Sequence, residues 1–161
     1  MPSSLPTSLK DAFIEDHQTL TRGLSHLLKL VQEEDYDEAS RVARELDRAA
    51  GPHIEFEEKS FYPEVQKTRG REYVENLYDE HGSGLAAVRA LSKLEPGAVV
   101  EPEERERLLS HLRRVLDHAV SCGRLLSHVT SLADVEQQKF LAELERYRKL
   151  AHRWTELHGS E

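Results

Sequence analysis

Apolar residues and histidines recur along this chain in steps of three and four, a spacing that fits the 3.6-residue period of an α-helix and little else. In the first segment they fall at Leu9, Phe13, His17, Leu20, Leu24, Leu27 and Val31, with Thr7 or Ser8 as the N-cap. A second segment opens near Asp37 and carries Leu46, Ala50, His53, Glu57 and Phe61 on one stripe. Gly51-Pro52 interrupts it. Proline lacks an N–H and restricts its predecessor, so a kink or restart is expected just ahead of His53, with a further perturbation at Pro63. Beyond Gly70 a third stripe runs through Val74, Leu77, His81, Leu85, Val88, Leu91 and Leu94, closed by Pro96-Gly97. The fourth starts around Pro102 and carries Leu108, His111, Val115, His118, Cys122, Leu125 and Val129. After Ser131 a fifth amphipathic helix is expected through Phe140, Leu144, Tyr147, Leu150, Trp154 and Leu157. No useful stretch alternates with period two. The expected fold is all-α: an antiparallel up-down-up-down four-helix bundle over residues 8–130, flanked by an additional C-terminal helix over 131–158, in a single domain spanning 1–161.

The histidines sharpen this reading. His17 and His53 are 36 residues apart, His81 and His118 are 37 apart, so the chain reads as two duplicated helical hairpins. Asp16-His17 corresponds to Glu80-His81, and His53 to Glu57 corresponds to His118 to Cys122. A step of four residues returns to nearly the same side of a helix about 6 Å further on, so each such pair points inward at adjacent levels. Four helices can therefore aim His17, His53, Glu57, His81 and His118 at one volume. Neutral imidazole and carboxylate are good ligands for iron, manganese or zinc. A carboxylate at a seam position costs several kcal/mol unless a cation or strong donor meets it, which makes Glu57 the most telling of the five.

Composition removes several classes. The net charge of −8 disfavours nucleic acid and anionic membranes, and no apolar stretch approaches the roughly 18 residues needed to cross a bilayer. One cysteine cannot form an intramolecular disulfide and no secretory signal is visible, so cytoplasm is the expected compartment. There is no glycine-rich phosphate loop and no Ser-His-Asp constellation.

Asp16-His17, His53-Ile54-Glu55-Phe56-Glu57-Glu58 followed by Phe61-Tyr62-Pro63, Glu80-His81 and His118 together resemble the hemerythrin-like, or HHE cation-binding, family over roughly residues 9 to 130. The resemblance implies a four-helix bundle around a non-haem di-iron centre, with carboxylates bridging the irons and histidines terminal. It implies His17, His53, His81 and His118 as terminal ligands, Glu57 as a bridging one, and dioxygen or a related small oxidant as the partner. The sequence departs from the family at His118-Ala119-Val120-Ser121-Cys122, where the second bridging carboxylate is replaced by a thiol. Cys122 is a candidate thiolate ligand, although a small buried hydrophobe is the commoner role for such a residue. Leu85 stands where an oxygen carrier has a further histidine. Two other readings stay open: a single metal, iron or zinc, held by His and Glu57, or a metal-free helical interaction module. Catalysis does not follow from the ligands alone. His111 is expected to be structural, and His26, His128, His152 and His158 to lie at the surface. Glu58 and Glu80 flank candidate ligands, and Tyr62, Tyr73 and Tyr78 are expected mainly to pack.

Overall fold

The computed structural model describes residues 8–122 and 125–157, the side chains of 120–122 excepted. The described residues are helical or connect helices, with no strand among them. Four long helices make the body: α1 (Leu9–Gln32), α2 (Tyr36–Phe56), α4 (Arg71–Ser92) and α5 (Pro102–Cys122). Between α2 and α4 lie a π-helical turn, Glu57–Phe61, and the short α3 (Tyr62–Arg69). After α5 come α6 (Leu126–Ser131), α7 (Asp134–Leu150) and a closing 3-10 turn, Trp154–Glu156.

Helix ends follow local chemistry. The Ser8 hydroxyl accepts from the Asp11 amide at 3.1 Å, and Asp35 caps α2 by accepting from the Glu38 amide at 3.3 Å. Gly70, at φ 88° and ψ 166°, takes a backbone conformation that glycine alone adopts readily, and it ends α3. In the helical bundle α1 packs on α2 and α5, and α4 packs on the same two helices, so the four enclose a common interior.

That interior is stratified. One apolar cluster includes Leu20, Leu24, Ala50, Ile54, Leu85, Leu112 and Val115; a second includes Phe13, Phe56, Phe61, Leu77 and Val129. Each fully buried side chain of this size contributes roughly 1.5–3 kcal/mol. Between the two clusters His17, His53, Glu57, His81 and His118 form a layer of buried polar groups, Glu57 with no exposure at all.

Three expectations are corrected. Gly51-Pro52 does not break the second helix; α2 runs through it, and the irregularity comes at Glu57–Phe61 instead. The glycine answers to packing: a Cβ on Gly51 would stand 1.9 Å from the His152 carbonyl oxygen. The fourth stripe is split, since α5 ends at Cys122 and Val129 belongs to α6. The fifth helix ends at Leu150, because Ala151 takes the left-handed conformation (φ 54°) and turns the chain back. Trp154 then leaves the helical pattern to fill the core at 0% exposure, beside Gly84.

Candidate metal centre

His17 sits on α1 one turn after Phe13, whose carbonyl accepts from His17 Nδ1 at 2.8 Å. A carbonyl can only accept, so the proton is on Nδ1 and the Nε2 lone pair is free to face inward. The other three imidazoles are held through Nδ1 by carboxylates: His53 by Asp16 Oδ2 at 3.0 Å, His81 by Glu58 Oε2 at 2.8 Å, and His118 by Glu80 Oε1 at 2.9 Å. All four rings thus turn Nε2 toward one centre. The duplication expresses itself here, for the acidic residue before each of His17 and His81 serves the histidine of the other helix in its pair, 37 and 38 residues on.

Glu57 occupies the middle. Its Oε2 lies 3.5 Å from His17 Nε2 and 3.0 Å from His53 Nε2, while Oε1 lies 3.2 Å from His81 Nε2. Two triads result, His17–His53–Glu57 and Glu57–His81–His118, each with donor atoms within 4.8 Å of one another. Within each half the paired rings meet edge to face, at 4.6 Å for His17 and His53 and 4.7 Å for His81 and His118. His53 Nε2 is buried 3.0 Å from Glu57 Oε2 without the geometry of a well-formed hydrogen bond. A buried ring nitrogen that faces a carboxylate in this way fits a cation site better than it fits a packed core.

The π turn brings in one more donor. In an α-helix a residue five positions on points well away, but a π turn takes more residues per revolution and returns Tyr62 over Glu57. The Tyr62 hydroxyl donates to Glu57 Oε1 at 3.2 Å and lies 3.1 Å from His81 Nε2 and 3.4 Å from His118 Nε2. Tyr78, by contrast, donates to the Glu58 carbonyl outside the layer at 2.7 Å.

The electrostatics of the metal-free layer follow from this geometry. Burial alone would lower the His53 pKa, but the Glu57 charge and the Asp16 hydrogen bond outweigh it and hold it at about 10. Burial is likewise overcome at His81, which Glu57 and Glu58 hold at about 9. His17 is pushed down to about 4 by burial and by the charge on His53. His118 is lowered by burial and by His81. Burial would raise Glu57, yet the surrounding imidazoles keep it well below the ordinary carboxylate range. The layer without metal is therefore an anion held between two imidazolium ions, positive charge standing where cations would sit.

A family model for the hemerythrin HHE cation-binding domain matches residues 8–121. The chain belongs to the hemerythrin HHE family. No curated protein and no solved structure gives a match. Every donor of the HHE layer lies inside the matched span, whereas α6, α7 and the closing turn lie beyond it. No helix among the described residues is long and apolar enough to cross a membrane.

The HHE fold brings His17, His53, Glu57, His81 and His118 together in the two donor triads. The Cys122 side chain lies outside the described residues, as does His158. Leu85 is buried in the apolar cluster next to the layer. Sequence reasoning left Tyr62 among the packing residues and gave Asp16 no role. The signal for Asp16 was the repeat itself, since Asp16 and Glu80 hold equivalent places in it. For Tyr62 there was none, because its approach depends on a π turn. His152 is also no idle surface residue: its Nδ1 meets buried Glu55 Oε1 at 3.1 Å.

Proposed function

We propose that this HHE domain holds non-haem iron, two ions, about the shared Glu57 carboxylate, and uses the centre to bind or sense dioxygen or a related small oxidant. The observation that carries the reading is Glu57: a wholly buried carboxylate with imidazole Nε2 atoms at both oxygens. In this reading His17 and His53 hold one ion, His81 and His118 the other, and Glu57 lies between them. The nitrogen and oxygen donors suit iron, with zinc as the main competitor. The Tyr62 hydroxyl supplies an oxygen close to the second pair, a compensation for the family carboxylate that Cys122 replaces. Bound iron would supply open coordination positions and a change of redox state. The protein supplies fixed imidazoles and two apolar strata that limit water.

The surrounding architecture is read as an antiparallel up-down-up-down four-helix bundle with α7 flanking it, the whole chain forming one domain. The single cysteine and the charge of −8 favour a reducing, cytoplasmic setting without nucleic acid as partner.

The deciding experiment is metal analysis by plasma mass spectrometry, with an absorption spectrum, on untagged protein purified aerobically and after anaerobic ferrous reconstitution. Two irons per chain with the near-ultraviolet absorption of a paired ferric centre support the reading. One ion per chain supports a mononuclear site, which the shared Glu57 and the thiol at Cys122 favour as the second reading. No metal after reconstitution leaves a helical interaction module.

A further inference from the structure

The contacts that fix His53 do not stop at Asp16. Arg148 Nη2, on α7, donates to both oxygens of Asp16, at 2.9 and 3.1 Å, so one carboxylate joins a guanidinium to the imidazole of a candidate ligand. Glu80, which plays the same part for His118, meets no cation among the described residues. The two halves of the layer therefore match in their imidazoles and differ in what stands behind them.

Arg148 is anchored at both ends of its helix. Phe140, Leu144 and Tyr147 are buried against the apolar cluster that holds Phe56 and Phe61. Past Leu150, Trp154 is sunk in the bundle, and the Thr155 amide and hydroxyl donate to Asp47 at 2.8 and 2.9 Å. The side chain itself is only 30% exposed. A guanidinium set on so fixed a base, reaching both carboxylate oxygens, restrains the carboxylate far better than solvent does.

We propose that Arg148 is a positioning residue for the metal centre: through Asp16 it holds the His53 ring on Glu57, so that α7 sets the metal affinity of the His17–His53 half. This rests on the metal reading given above. It assigns a role in the centre to a helix outside the family match.

The test is anaerobic titration of the full chain with ferrous ion against a chromophoric chelator. Arg148→Ala is expected to weaken one of the two binding steps about tenfold and leave the other unchanged. Arg148→Lys should fall between Arg148→Ala and wild type. Lys149→Ala, which removes an exposed charge from the same helix, should match wild type. In the Asp16→Asn background, Arg148→Ala should have no further effect, because the two act in series. Should the alanine variant fail to melt cooperatively in its metal-free form, Arg148→Gln keeps the stem and carries the same expectation. Equal weakening of both steps, retention at the wild-type level, or additive effects with Asp16→Asn would each overturn the role of Arg148. A wild-type chain that takes up no ferrous ion removes the metal reading itself and this inference with it.

Discussion

Glu57 Oε2 lies 3.0 Å from His53 Nε2, and both side chains are almost wholly shut away from water. In the metal-free protein that proximity makes an ion pair; around a cation it makes two ligands. Replacing Glu57 by Gln keeps the shape and removes the charge. The variant should bind ferrous ion at least roughly a hundredfold more weakly. Its metal-free form should lose about 3 kcal/mol in urea unfolding, the cost of breaking a buried pair. Unchanged metal content would remove Glu57 from the centre.

Stability of the metal-free protein should peak near pH 6.5. His53 and His81 are raised to about 10 and about 9, so their contribution is complete below their unfolded value near 6.5 and is lost as pH rises through 9 to 10. His17 is lowered to about 4 and Glu57 lies below its ordinary value, so stability also falls as pH drops from 6.5 toward 4. Thermal melts from pH 4 to 10 check both limbs. A flat alkaline limb would contradict the imidazolium assignments.

Metal uptake at pH 7 should expel protons. His53 and His81 carry them in the metal-free state and must shed them to ligate, so binding strengthens as pH rises. Calorimetric titration in two buffers of different ionisation enthalpy gives the number released. About two are expected, and none would mean that these rings are already neutral.

Tyr62→Phe should leave packing nearly intact, because the ring keeps its edge-to-face contact with Tyr78 and its neighbours Phe61 and His81. The lost hydrogen bond should cost about 1 kcal/mol. If the hydroxyl binds ferric iron as phenolate, the loaded wild type shows a visible charge-transfer band that the variant lacks. A band that survives in the variant would assign it elsewhere.

Gly51→Ala should be among the worst single substitutions in α2, where the glycine is buried under the closing turn. Its Cβ would stand 1.9 Å from the His152 carbonyl oxygen and 2.9 Å from the Arg153 carbonyl carbon, both backbone atoms with no rotamer to yield. A loss of about 3 kcal/mol is expected, with the closing turn lifted from the bundle. Wild-type stability by denaturant titration would show that this turn is loosely held.

The four histidines and Glu57 were legible in the sequence because an α-helix converts spacing directly into direction, and a repeated hairpin does so twice. What escaped depends on departures from that regularity. Pro52 reads as a break, yet α2 passes through it. Tyr62 reads as packing, since only the π turn carries it back over Glu57. Trp154 fits the helical period of α7, but Ala151 turns the chain first, and nothing about an alanine foretells a left-handed residue. Arg148 is one of many charges on its helix; its partner Asp16 is 132 positions away, beyond the reach of any local pattern.

The π turn at Glu57–Phe61 has a consequence for how such a site changes over generations. Wound as an ordinary α-helix, the same five residues would leave Tyr62 about 140° around from Glu57 and off the centre. With one of them removed, ordinary winding would bring the tyrosine back, because a residue four positions on lies only about 40° around. The hydroxyl therefore reaches the layer either through a π turn with the extra residue or through an α turn without it. Chain length and winding in those five positions are inherited together, as much a part of the site as the side chains themselves.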